Sequence, residues 1–235
     1  MTTTEILQEL QSMGSEQTKK TFLRHGAPEP FYGVKVGDMK KIVKRVKKNH
    51  ELSLSLYDTG NSDAMYLAGL IADEKKITKK DLQHWAEKAP WYMISEYTVA
   101  WVASESPYGW ELGLEWIESG KENIATSGWA TLSNWVMLRP DAELDLKHLE
   151  KLLDRVAATI HTAPNRVRYV MNGFVIACGI SVIPLSEKAV DTAKKVGEVH
   201  VNMGDTACQV PAAVAYIQKA RDIGRFGYKK KMARC

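Results

Sequence analysis

Five basic residues, Lys40, Lys41, Lys44, Arg45 and Lys48, recur at spacings that keep several of them on one side of a helix. A row of this kind suits contacts to successive phosphates of a nucleic-acid backbone. An ordinary solvated helix face is the alternative. A second cationic cluster lies in GRFGYKKKMARC, where Arg225, Lys229, Lys230, Lys231 and Arg234 stand among two glycines and two aromatic residues. That composition predicts a flexible basic arm for a polyanion, or else a solubilising end. Cys178, Cys208, Cys235 and His200 show neither a C-x-x-C pair nor a paired Cys/His spacing, so no metal and no cofactor is expected. The segment GRFG lacks the strand-to-helix setting of a phosphate loop.

The whole chain has a net charge of only +4, but the charge is unevenly distributed. Residues 1–50 carry 10 Lys and Arg against 5 Asp and Glu, residues 51–150 carry 8 against 17, and residues 151–235 carry 14 against 6. In a curved stack of helices, basic ends around an acidic middle would set positive arms about a bound polyanion. With 235 residues, 45% of them apolar, the chain can bury a substantial core as one domain or as stacked units. No apolar run reaches the roughly 18 to 20 residues of a membrane span, and the start MTTTEILQELQSMG lacks a basic region followed by an apolar one. The odd number of cysteines argues against a disulfide framework. A cytoplasmic protein with no membrane association is the expectation.

Helical periodicity dominates the segments that must position these groups. From Val36 to Lys48, Val36, Met39, Ile42, Val43 and Val46 form an apolar stripe at three- and four-residue steps, leaving the lysines largely outside it. Similar patterns predict helices over 4–13, 63–72, 78–87, 93–103, 110–118, 123–136, 146–160, 166–180, 186–196 and 212–221. Thr78, Asp145 and Ser186 precede apolar-periodic runs as candidate caps, and Pro140, Pro164, Pro184 and Pro211 fall between runs. Helix pairs recurring at roughly 35 to 45 residues match the period of HEAT or armadillo solenoids. A compact helical bundle is the alternative. One domain over 1–222 with a basic tail over 223–235 follows, and EVHVNMGDTAC, residues 198–208, breaks the pattern as a turn or short hairpin.

The stretch FYGVKVGDMKKIVKRV, residues 31–46, resembles the signature of the DNA alkylation repair (AlkD-like) family, in which an aromatic residue and a glycine lead into a Lys/Arg-bearing helix. The similarity continues through KAPWYMISEY (88–97) and NRVRYVMNGFVIACG (165–179), so it covers most of the chain. It implies an all-α, HEAT-like or armadillo-like helical repeat superhelix, an α-α solenoid with a concave basic DNA-binding face. In catalytic members an aromatic pair followed by a carboxylate lies on that face, with an arginine and a further tryptophan from later helices. The match sets Trp91 and Tyr92 on the aromatic pair and Glu96 on the carboxylate. An alkylated purine is a good leaving group, so a carboxylate that stabilises positive charge developing on the sugar, or orients water, accelerates its loss.

The remaining positions depart from the pattern. The segment NIATSGWATLSNW offers Ser127 and Trp129 where an arginine is expected, and the late helix offers Gly173 and Phe174 in place of tryptophan. Arg166 and Arg168 are the available electrostatic substitutes. Packing is the plain alternative for Trp91 and Tyr92, since aromatic burial dominates helix packing, and solvation is the alternative for Glu96. The resemblance therefore implies a DNA-binding protein that either excises N-alkylated purines or binds damaged, distorted or branched double-stranded DNA without excision. A protein-binding solenoid is the third reading. The expected DNA contacts are Lys40, Lys41, Lys44, Arg45, Lys48, Arg166, Arg168, Lys229, Lys230 and Lys231, with no obligate protein partner.

Overall fold

A computed structural model describes residues 1–234; Cys235 lies outside the described residues. The amphipathic runs form α1 (Thr3–Met13), α2 (Glu16–Arg24), α3 (Val36–Val46), α4 (His50–Tyr57), α5 (Ser62–Ile71) and α6 (Lys79–Lys88). A π-helix over Met93–Val99 continues into α7 (Ala100–Glu105), followed by α8 (Gly109–Trp116), α9 (Glu122–Leu138), α10 (Leu146–Thr159), α11 (Asn165–Ser181), α12 (Ser186–Val196) and α13 (Ala213–Asp222). No strand occurs among the described residues, and no single helix is long and apolar enough to cross a membrane.

The inner layer consists of α5, the Met93–Glu105 helix, α9 and α11, each packed on the next, with α4, α6, α8, α10 and α12 against its other side. The inner helices run parallel. Their starts meet where Glu122 of α9 accepts from the Arg166 amide of α11, and their ends meet at Leu70, Glu105 and Leu138. Parallel neighbours follow from the helical repeat, since each outer helix returns the chain to the side on which the next inner helix begins. The core comprises two clusters of buried residues, one mostly from the first half of the chain and one mostly from the second. Tyr57 and Trp85 stack at 4.2 Å in its first half, and Trp129 meets Phe174 edge-on at 5.2 Å in its second.

Two helices escape the periodicity reading for separate reasons. No residue of α2 is buried, so its sequence carries no apolar stripe. In α4, Leu52, Leu54 and Leu56 alternate as in a strand, but the Asn49 side chain caps the helix by accepting from the Leu52 amide at 3.1 Å. Thr78 and Asp145 cap α6 and α10 as expected. Ser186 does not cap; its hydroxyl donates to the Gly179 carbonyl at 2.6 Å. Residues 198–208 form bends and extended chain without strand pairing, so of the expected turn or short hairpin the hairpin does not form.

The FYGV stretch owes its form to Asp63. This buried carboxylate, at the first turn of α5, accepts from the backbone amides of Tyr32, Gly33 and Val34 at 2.5, 3.0 and 3.1 Å. Gly33 has φ +77°, and a Cβ there would lie 2.7 Å from the Lys19 backbone nitrogen. A left-handed turn pressed against α2 thus requires glycine. This turn fixes where α3 begins.

The basic tail is a docked strap and not the expected free arm. It runs along the C-terminal ends of the inner helices, donating from the Gly227 amide to the Ile180 carbonyl and from the Lys230 amide to the Met137 carbonyl, both at 2.8 Å. Lys229 Nζ reaches the Val136 carbonyl at 2.8 Å and Asp141 at 2.7 Å. Arg234 is clamped by the Ala72 carbonyl (2.7 Å), Glu74 (2.6 Å) and Glu105 (2.7 Å). Helix C-termini present unpaired carbonyls and partial negative charge. A cationic segment crossing a row of them finds its acceptors ready, which is why these residues adhere to the body.

Candidate functional site

Glu96 sits in the π-helical segment, which α5 approaches closely because a Cβ on Gly69 would fall 2.8 Å from Thr98 Cγ2. Both contacts to its carboxylate come from Arg166, with Nε at 2.7 Å and Nη2 at 2.6 Å from Oε1. Arg166 lies between two rings, its guanidinium carbon 4.2 Å from the centre of Tyr92 and 4.4 Å from that of Tyr169. Tyr169 is one turn along α11 from Arg166, so a single helix supplies both cation and ring. Glu96 is only 7% exposed.

Burial pushes the Glu96 carboxyl up to about 7, against the pull of the Arg166 charge. Burial also pushes the phenols of Tyr92 and Tyr97 up to about 12 and raises that of Tyr169. All three therefore stay protonated at neutral pH. The segment 198–211 crosses the cluster. It is tied to the start of α11 by paired hydrogen bonds between Asn165 and Asn202, and to the end of α2 by the Asp205 amide on the Arg24 carbonyl at 3.0 Å. Between these ties, Met203 Sδ lies 3.5 Å from Arg166 Nη1.

Of the residues expected to act together, Tyr92, Glu96 and Arg166 converge here. Trp91 turns into the core, 9% exposed and 5.6 Å from the ring of Phe22, the packing role that was its alternative. Ser127, Trp129 and Phe174 are buried. The arginine comes from α11, later in the chain than the expected helix. Sequence reasoning missed Tyr169 and Met203; Tyr169 was detectable as an aromatic residue three positions after Arg166. Arg168 is half-buried, and its Nε has no hydrogen-bond partner among the described residues.

The lysines gather elsewhere. Lys40, Lys44 and Lys48 form one wall of a groove of about 700 Å³, with Arg139, Lys230 and Lys231 opposite and Val43, Leu70, Leu138 and Met232 between. Lys41 and Arg45 project elsewhere, pairing with Asp38 and Glu9. Lys48 pairs with Glu74 at 2.5 Å. Lys40, Lys44, Lys230 and Lys231 form no ion pair among the described residues. This groove lies at the C-terminal ends of the inner helices and the Glu96 cluster near their N-terminal ends, nine residues or about 13 Å apart along the helix that carries both Glu96 and Glu105.

Comparison with known proteins agrees with this architecture. The chain is 41% identical to the uncharacterized protein Lmo0209 of Listeria monocytogenes and 40% identical to the uncharacterized protein Lin0241 of Listeria innocua. Each similarity spans 220 residues, 91% of this chain and 95% of the relative. A solved structure described as "A new family of proteins related to the HEAT-like repeat DNA glycosylases with affinity for branched DNA structures" matches with a TM-score of 0.92 and 41% identity, over 100% of both chains. The two helical layers are therefore a HEAT-like repeat fold. The model of the DNA alkylation repair enzyme family matches residues 6–217, and the chain belongs to that family.

Proposed function

We propose that this protein binds branched or distorted double-stranded DNA through its basic groove and does not excise bases. The contrast between its two charged regions carries the reading. The carboxylate that excision would need is buried, with Arg166 on it and residues 198–211 across it. The groove instead presents Lys40, Lys44, Lys230 and Lys231, which form no ion pair among the described residues. Exposed cations close to one another release counterions when they meet a phosphodiester backbone. The affinity for branched DNA of the similar solved protein supports the choice of substrate class. In this reading Lys40, Lys44, Lys48, Lys230 and Lys231 contact phosphates, while Arg166 holds Glu96 and Lys229 anchors the strap.

Excision is the second reading, favoured by the meeting of Tyr92, Glu96 and Arg166 at one place. Mobility shift with a four-way junction and a linear duplex of equal length, together with base release from an N-methylpurine duplex, separates the two. The expected outcome is salt-sensitive binding that is tighter for the junction, with no release above the protein-free control. Release by the wild type that Glu96→Gln abolishes would overturn the reading.

A further inference from the structure

We propose that the groove between α3 and the C-terminal strap is an assembled phosphate site: Lys230 and Lys231 stand beside Arg139 only while the strap is docked, with Arg234 clamping its end, and the ligand is a run of closely spaced phosphates. This inference rests on the DNA-binding reading for its physiological ligand but not for its chemistry. Three observations carry it.

First, the two walls come from residues almost two hundred positions apart, Lys40 and Lys44 on one side and Lys230 and Lys231 on the other. Neither wall alone forms a groove. Second, beyond the Gly227, Lys229 and Lys230 contacts, the end of the strap is clamped by Arg234, which is 8% exposed at its side chain and makes contacts of 2.6 and 2.7 Å to Glu74 and Glu105. The same Glu74 holds Lys48 of the opposite wall, so one carboxylate ties both walls together. Third, Arg139 stacks 4.3 Å above Trp135, and its Nε is buried with no hydrogen-bond partner among the described residues. Arg139 also lines the groove, so its guanidinium adds a cation that an anion there would meet.

The anchoring carboxylates, Glu74 and Glu105, are already occupied by cations, so the groove keeps an excess of positive charge. An open trough with an apolar floor, flanked by lysines that form no ion pair among the described residues, fits an extended phosphodiester strand, or a free oligophosphate that mimics one. Arg234 is a positioning residue here, because it acts through Lys230 and Lys231.

The full-length protein tests this with two variants. Lys230→Gln/Lys231→Gln removes charge and leaves the clamp. Arg234→Ala leaves both lysines and opens the clamp, which faster tryptic cleavage after Lys229, Lys230 or Lys231 will report. Each is expected to weaken four-way-junction binding about tenfold at low salt and to reduce the slope of log affinity against log salt by about two, the share of two phosphate contacts. Calorimetry with inorganic tripolyphosphate is expected to show binding to the wild type and loss of binding in both variants. An Arg234→Ala protein with a freed tail but unchanged salt slope and unchanged tripolyphosphate binding would overturn the assembly. If the wild type binds tripolyphosphate but no junction, the DNA reading fails and the groove stands. If it binds neither, both fail.

Discussion

The Glu96 cluster and the α3 groove draw on the same helices, yet they handle charge in opposite ways. At one end, Glu96 and Arg166 are buried, held between Tyr92 and Tyr169, and crossed by residues 198–211. At the other, Lys40, Lys44, Lys230 and Lys231 face an open trough and form no ion pair among the described residues. A buried pair is hardly screened by salt, and breaking it leaves a charge where water cannot reach it. Exposed cations contribute little to holding the fold and much to attracting a polyanion. The difference shows that charge legible in the sequence becomes either structure or binding surface according to burial. Substitutions at the two ends should therefore affect stability and binding in opposite proportion.

The largest stability effect is expected from Arg166→Met. It leaves Glu96 buried among aromatic rings without its cation; because burial already raises this carboxyl to about 7, the group takes up a proton near neutral pH, and the full cost of removing one partner of such a pair, about 3–5 kcal/mol, is expected above that pH. Urea denaturation measures the loss. Glu96→Gln/Arg166→Met should recover most of it, because no charge then remains to be desolvated. A double variant as unstable as Arg166→Met would show that ring packing on the guanidinium, and not charge pairing, holds this end together.

A smaller effect, on the order of 1–3 kcal/mol, is expected from pH. Burial raises the Glu96 carboxyl from 4.5 to about 7. Below pH 4.5 the group is protonated in both folded and unfolded chains. Between 4.5 and 7 only the folded chain keeps the proton, so stability falls as pH rises through this window and levels off above it. Glu96→Gln should flatten that part of the profile, read as the difference between the two proteins' unfolding midpoints. A wild-type curve that instead rises relative to the variant would mean that the Arg166 charge outweighs burial.

How much of this was legible beforehand follows the range of the interactions. Periodicity locates α3, α5, α6 and α8 to α13 within a few residues because each buries one face, while α2 has no fully buried residue and sets only Phe22 partly on the core, and α4 alternates like a strand. The basic stripe on α3 was readable, but not that Arg45 is drawn off by Glu9. The Glu96 to Arg166 pair joins positions 70 apart, and no local pattern encodes it. Composition suggested that the tail was free; it ignores the row of helix C-terminal carbonyls and acids that only the folded repeats align. The glycine of FYGV was visible as a motif, but its cause, three amides converging on Asp63, was not.

The smallest effect on stability is expected at the groove, with Lys40→Gln/Lys44→Gln. Both side chains are exposed and form no ion pair among the described residues, so the urea midpoint should not move measurably, in contrast to Arg166→Met. Junction binding should nevertheless weaken, most strongly at low salt, and the ratio of wild-type to variant affinity should approach one as salt rises from about 0.05 to about 0.5 M. That convergence is the informative part, because a lysine acting through shape or a directed hydrogen bond would keep much of its advantage at high salt. A salt-independent ratio would mean that the groove reads its ligand by fit, and the contrast between a buried charge that holds and an exposed charge that attracts would no longer describe the molecule.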